Sequence, residues 1–229
     1  MPLDTSSYAL ALLRLDGRRW NELRRLTAQI STQAAADGSS YLEMGNTKVI
    51  CTVNGPAEGK RIGAGGGSSG DAMVIVEIGI AGFSGVERKR RGRGDNTITI
   101  TLHVLSQDGS LLAACLNATT LALIDAGIPM SDYVAACTAG STSSYSSNDE
   151  QADPLLDLNQ LEEQELPFLT VATLGATDKV CVLVMETRVQ AGRLEGMLAV
   201  GVDGCKQVRS ILDGVVRRQG KKMLDSVTA

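Results

Sequence analysis

The chain has 229 residues, of which 43% are hydrophobic and 21% charged, and it carries a formal net charge of −4. That length buries one large core or two modest ones, and the mixture is that of a globular protein rather than a disordered one. The acidic balance excludes nucleic-acid binding through bulk positive charge, so any RNA contact has to come from local patches.

Taken in chain order, the first twelve residues read as a tail. Residues 13–25 then pack five arginines, two acids and the only Trp into a short stretch. Asp16-Gly17 is a turn dipeptide that Arg18 and Arg19 leave, while Trp20 and Leu23 are expected to anchor the segment on a core. Two readings stand open for it: a salt-bridged arm, or an RNA-facing element. Residues 48–53 form a β-branched strand, closed by Asn54-Gly55-Pro56 as a turn. Residues 58–70 are rich in Gly and Ser, hence a loop, with Lys60 and Arg61 as its only cations. A strand returns at 74–80, followed by the run Arg88-Lys89-Arg90-Arg91-Gly92-Arg93. Residues 97–105 alternate as a half-buried strand in which His103 is expected to be buried or cross-strand. The Asp108-Gly109 turn leads to a buried helix over 112–126, stopped by Gly127 and Pro129.

Residues 133–139 make a short strand, and residues 141–153 a polar loop or disordered insertion. Residues 168–174 and 179–186 pair as a hairpin. From Arg193 onward apolar residues recur at helical spacing, as one long helix or two broken near Gly201 and Gly204. Strands, a helix, strands and a helix predict an α+β fold in one domain over residues 1–229, with 141–153 as an insertion loop. Five scattered cysteines, without a C-x-x-C pair and with a single histidine, read as reduced, mostly buried thiols and offer no zinc set. There is no secretory signal and no apolar run long enough to span a membrane, so a soluble nuclear or cytoplasmic protein is expected.

Three places offer chemistry. Asp157 and Glu163, six apart after Pro154-Leu155-Leu156, read as a divalent-cation pair or as merely solvated loop acids. The helix opening after Gln107-Asp108-Gly109-Ser110 presents free N–H groups that suit a phosphate, but Leu111-Leu112 follows and no cation completes the cradle. The cations Lys60 and Arg61, with Arg88, Lys89, Arg90, Arg91 and Arg93, suit the backbone of a single strand. Base stacking is not prominent, because aromatics are few.

The ordered set Leu15-Asp-Gly-Arg-Arg19, Ala36-Asp-Gly-Ser-Ser40, Gly45-Asn-Thr-Lys-Val49, Val86-Glu-Arg-Lys-Arg90, Leu105-Ser-Gln-Asp-Gly-Ser110, Ala122-Leu-Ile-Asp-Ala-Gly-Ile-Pro129 and Asp157-Leu-Asn resembles the RNase PH family. Within it, the likeness is to the eukaryotic exosome core subunit that corresponds to the catalytic subunit of the archaeal exosome. The resemblance implies a β-α-β-α fold of the ribosomal-protein-S5 domain-2 type. It also implies a six-membered ring of RNase PH-like subunits with a central channel, topped by S1/KH-type cap proteins. Active members remove nucleoside diphosphates from the 3′ end of RNA, using inorganic phosphate as the attacking group. Asp157 matches the family's first acid, and Glu163 stands where the second, usually Asp, is found.

Two departures bear on activity. Active members carry a Thr- or Ser-Arg pair where this chain has Leu111-Leu112, and that arginine binds phosphate. The family also has an amphipathic helix where Asn96 here runs straight into Thr97. The resemblance therefore implies a catalytically silent ring subunit, with Asp157 and Glu163 vestigial and no cofactor or metal of its own. Lys60 and Arg61 would face the channel neck, and Arg88, Lys89, Arg90, Arg91 and Arg93 would contact single-stranded RNA further along. The RNA would pass to an associated hydrolytic 3′–5′ ribonuclease, in the nucleus and nucleolus and also in the cytoplasm. The alternatives are an active phosphate-dependent exoribonuclease using Asp157, and a stand-alone RNA-binding module.

Overall fold

The computed structural model describes residues 13–14, 16–57, 73–80, 97–142, 153–189 and 191–228. One sheet contains β1 (Leu26–Ile30), β2 (Gly38–Met44), β3 (Thr47–Ala57), β4 (Met73–Ile80) and β5 (Thr97–Ser106), in the order β1-β2-β3-β5-β4. Helix α1 (Leu111–Asp125) leads to a second sheet of β6 (Val134–Ser141), β7 (Pro154–Leu156), β8 (Phe168–Leu174) and β9 (Val180–Met185), in the order β7-β6-β8-β9. A short helix, α2 (Gln160–Glu165), separates β7 from β8, and α3 (Ala191–Thr228) closes the chain. Among the described residues only β4 and β5 pair in parallel. Strands, helix, strands and helix follow in the expected α+β order.

Helix α1 joins the two sheets. Its small residues Ala114, Ala118 and Ala122 are fully buried, which lets strands approach it closely. Three polar side chains fix its position. The buried Asn117 amide donates to the Ala136 carbonyl at 2.9 Å and accepts from the Ala136 N–H at 2.8 Å. Ser40 donates to the Ala118 carbonyl from the first sheet, and Thr120 donates to the Val134 carbonyl on the second. A buried amide satisfied on both sides fixes one register, since any slip leaves polar groups unpaired in the core. The helix ends in a Schellman motif: Ile128 N–H bonds the Leu123 carbonyl, Gly127 N–H bonds the Ile124 carbonyl, and Gly127 takes a φ of +67°. Core residues from both sheets, α1 and α3 form one apolar cluster.

Several expectations change here. The strand predicted over 48–53 runs on to Ala57, and Asn54-Gly55-Pro56 is an irregularity in its pairing with β5 rather than a turn. Gly55, at φ +118°, donates its N–H to Asp37 there. Ser141 belongs to β6, so the insertion begins one residue later; residues 143–152 lie outside the described residues, as do 1–12. The C-terminal helix is unbroken. Gly201 and Gly204 are contact points instead: a Cβ on Gly204 would collide with Leu156 Cδ1 and sit 3.0 Å from Cys137 Sγ. Trp20 is 41% exposed and lies outside the main apolar cluster, whereas Leu23 packs on it. His103 is exposed on β5, beside Gly79 across the parallel pair. Cys51, Cys115, Cys137 and Cys205 are buried free thiols, and Cys181 is exposed.

Two aliphatic surfaces are left open among the described residues. Val74, Val76, Ile78 and Ile80 of β4 stand beside Ile98, Ile100, Leu102 and Val104 of β5, residue for residue. The β5 row is largely buried, while its continuation on β4 is 40–55% exposed. Edge strand β9 likewise exposes Leu183, Val184 and Met185. Contiguous exposed aliphatic rows and open sheet edges are features that monomeric proteins usually keep small or covered.

Two glycine substitutions test this packing by denaturant unfolding. A Cβ on Gly38 would collide with the Ala122 carbonyl oxygen and sit 2.5 Å from the Ala126 nitrogen. Gly38→Ala is expected to cost about 3 kcal/mol. Gly214, inside α3 with open space around it, should instead gain about 0.5–1 kcal/mol as Gly214→Ala.

Candidate functional site

The arginine-rich arm is held by the second sheet. The Asp16-Gly17 turn forms as expected, with Gly17 N–H bonded to the Arg14 carbonyl and Gly17 at φ +81°. It aims Arg14 inward: Nε donates to Glu162 Oε1 at 2.8 Å, Nη2 pairs with Glu162 Oε2, Nη1 donates to the Leu156 carbonyl, and Nη2 reaches the Asp157 carbonyl at 2.9 Å. Such a fork-to-fork pair needs guanidinium geometry, and a lysine would not reproduce it. Trp20 contributes through its backbone, its carbonyl accepting from Leu156 N–H at 2.8 Å. Of the two readings of this segment, the salt-bridged arm is the one its geometry takes.

Arg24 makes the second tie. Its backbone N–H donates to Asp157 Oδ2 and its Nη2 to Asp157 Oδ1, both at 2.8 Å, while Nη1 donates to the Asp108 carbonyl. Arg18 adds a bond from Nη1 to the Asp157 carbonyl at 3.0 Å and also pairs with Asp16. Asp157 is 1% exposed. Burial by itself would raise its pKa, but the charge and hydrogen bonds of Arg24, with the charge of Arg18, outweigh it and hold the carboxyl below the usual carboxylate range. Arg24 is correspondingly raised: Asp157 outweighs its own desolvation.

The opening of α1 lies against the same cluster. Ser110 Oγ donates to Asp157 Oδ1 at 3.0 Å and to the Leu158 carbonyl at 3.1 Å. Ser110 N–H donates to Glu163 Oε1 at 2.6 Å. A carboxylate of the chain itself thus occupies a donor at the helix N-terminus, where the expectation was an open anion cradle. Burial pushes the Glu163 carboxyl up, and the charges of Asp157 and Asp108 add to it against the Ser110 bond and Arg24. The side chain of Leu112 is 39% exposed at this end and brings no donor.

Glu163 sits on a helix, not in a loop. Asn159 and Glu162 form a reciprocal capping box, each side chain accepting from the other's backbone N–H at 3.0 Å. Glu162 therefore serves twice, capping α2 and receiving Arg14. Close approach makes Gly109 obligatory: it takes φ +74°, and a Cβ would lie 2.5 Å from the Asn159 carbonyl carbon. Ser110 and Asp157 both adopt positive φ, +54° and +51°. Left-handed backbone in non-glycine residues costs about 1–2 kcal/mol each. Strain of this kind collects at sites with a job.

Asp157, Glu163 and the helix opening are thus brought together with the arm, whose buried Arg14 and Arg24, with Glu162 as the partner of Arg14, do not figure among the expected site residues. The Asn159-x-x-Glu162 spacing was the readable signal for α2. No set of His, Cys, Asp and Glu side chains among the described residues is placed to hold a metal ion. Lys60, Arg61, Arg88, Lys89, Arg90, Arg91 and Arg93 lie outside the described residues.

The architecture is that of an RNase PH-like protein. Rice Rrp46 superposes with a TM-score of 0.72 at 22% identity, over 89% of this chain and all of that one. The profile of the 3′ exoribonuclease family, domain 1 (RNase PH), matches residues 22–97 and 93–129, and that of domain 2 matches residues 132–204. The chain belongs to the RNase PH family. The exosome complex component Ski6 of Schizosaccharomyces pombe is 38% identical over 241 aligned positions, covering 94% of this chain and 96% of the relative. The human exosome complex component RRP41 is 37% identical over 233, covering 90% and 91%. The alignment to the yeast protein is longer than this chain, so that relative carries residues absent here. The family match breaks at 93–97, the point of the second departure.

Two outcomes are expected from unfolding measured across pH. Removing one partner of the buried pair, as Arg24→Met or Asp157→Leu, leaves the other charge uncompensated and should cost about 3–5 kcal/mol. Asp157 has a folded pKa below its usual 3.8, so its stabilisation is complete above that value and disappears as the pH falls through the depressed one. Glu163 has the opposite sign. Its folded pKa lies above the usual 4.5, so its stabilising proton is lost as the pH rises through that window. In Glu163→Gln the decline above pH 4.5 should vanish while the acid loss stays; a decline that persists contradicts the assignment.

Proposed function

We propose that this chain is a non-catalytic ring subunit of the RNA exosome. It scaffolds a six-membered ring of RNase PH-like subunits and guides single-stranded RNA through the channel to an associated 3′–5′ ribonuclease. The observation that carries the silent role is the α1 opening. Phosphorolysis needs an attacking anion held beside an anionic backbone, which takes cations and free donors. Here Glu163 takes the Ser110 N–H and Leu112 supplies no charge. Asp157 is already engaged by Arg24 and Ser110. Relatives named as exosome complex components support the assembly, and so do the aliphatic rows of β4 and β9, which call for partner surfaces.

In this reading the partners are other RNase PH-like ring subunits, S1/KH-type cap proteins and a hydrolytic nuclease. The whole chain acts as one domain. Lys60 and Arg61 face the channel neck, and Arg88, Lys89, Arg90, Arg91 and Arg93 track the RNA backbone. Work in the nucleus and nucleolus and also in the cytoplasm follows, on ribosomal RNA processing, messenger RNA turnover and RNA surveillance. The second reading, a phosphate-dependent exoribonuclease using Asp157, has the strained backbone of Asp157 and Ser110 in its favour.

An RNA decay assay on the assembled ring without its nuclease, with and without phosphate and Mg²⁺, separates the two. The silent role predicts no nucleoside diphosphate; phosphate-dependent release overturns it. On the same ring, Arg90→Gln with Arg91→Gln should weaken RNA binding and flatten its log-salt slope by about 0.7 for each RNA phosphate no longer neutralised. An unchanged slope would remove these residues from the RNA path.

A further inference from the structure

A groove of about 760 Å³ runs between β1 and the C-terminal half of α3, beginning at Arg25, the residue after Arg24 of the Asp157 cluster. Its lining includes Arg25, just before the strand, and Arg218, Lys221 and Lys222 from the helix, and no acidic side chain among the described residues lines it. In a chain of net charge −4 that is a concentrated positive site. Its floor is aliphatic, with Ala28 and Ile211 among the lining residues.

Among the described residues, the strand side of the groove is a sheet edge with no strand paired beyond it. β1 is the terminal strand of its sheet. Toward β2, Ser31 N–H bonds the Ser39 carbonyl and Gly45 N–H bonds the Arg25 carbonyl. Alternation along an antiparallel strand then turns the N–H and C=O groups of Leu26, Ala28 and Ile30 the other way. Five residues of edge extend about 17 Å, enough to pair with an incoming strand of similar length.

We propose that this groove binds an extended acidic segment of a partner protein, which adds to β1 as a further antiparallel or parallel strand. Alternating edge donors and acceptors match a peptide backbone, whereas a nucleic-acid backbone offers phosphate acceptors alone. The aliphatic floor takes every second side chain, and the four cations take carboxylates from the others. No aromatic side chain among the described residues lines the groove to stack a base. The site stands apart from the catalytic question, and a failure of the silent-subunit reading would leave it untouched.

The test is fluorescence anisotropy on the full chain with a labelled heptapeptide alternating glutamate and valine. Binding is expected to weaken with salt, and to fall at least about tenfold when glutamate is replaced by glutamine or when Arg218→Glu and Lys222→Glu are combined. An otherwise identical peptide N-methylated at every second residue cannot pair with the edge and should lose binding to the wild-type chain, a comparison that needs no variant to fold. Failure of the acidic peptide to bind, or equal binding of the N-methylated one, overturns strand addition. Labelled oligouridine binding that the double charge reversal abolishes, with no peptide binding, would make the groove a nucleic-acid site instead.

Discussion

Asp157 holds a negative charge where almost no water reaches it, and distant stretches of the sequence meet because of that charge. Arg24 meets it with a guanidinium and a backbone N–H, Ser110 with a hydroxyl, and Arg18 from further out. A carboxylate can be buried only with such company, since its desolvation runs to several kcal/mol. One residue therefore ties the N-terminal arm, the end of β7 and the opening of α1 together. The Arg14–Glu162 pair repeats the arrangement nearby and passes it into the cap of α2. A buried ion pair of this sort adds little net stability over a well-packed apolar substitute. What it adds is position: it fixes where Glu163 lies relative to the helix N-terminus.

That position decides the chemistry in our account. A helix opening with unpaired N–H groups attracts anions, and an arginine beside it would complete a phosphate site. In this chain Glu163 takes the Ser110 N–H, and Leu112 brings no charge to the opening. A shared fold does not by itself transmit an activity, which lives in the residues of the site. The same fold leaves aliphatic rows on β4 and β9 open among the described residues, and a cationic groove beside β1.

The order of strands and helices was legible because alternation and helical spacing are strong over 97–105, 112–126, 168–174 and the last thirty-odd residues. The breaks were less so. Gly201 and Gly204 look like interruptions in a helix until the second sheet is seen pressing on them, with Leu156 and Cys137 against Gly204. Asn54-Gly55-Pro56 looks like a turn until β5 is seen to continue past it. Of the site, Asp157, Glu163 and the α1 opening could be named from motif order alone. The ion pairs Arg14–Glu162 and Arg24–Asp157 could not, because they span 148 and 133 positions. Five arginines in one stretch read as a structural arm or as an RNA contact. Only the burial of their partners separates the two.

The most direct test of a self-filled site is thermal unfolding of the isolated chain and of the ring with rising inorganic phosphate, at constant ionic strength. Glu163 on the Ser110 N–H and Leu112 beside it predict a Tm that does not move with phosphate. A saturable rise in Tm, which is what specific binding to the folded state produces, would mean that phosphate displaces the carboxylate, and would contradict the account.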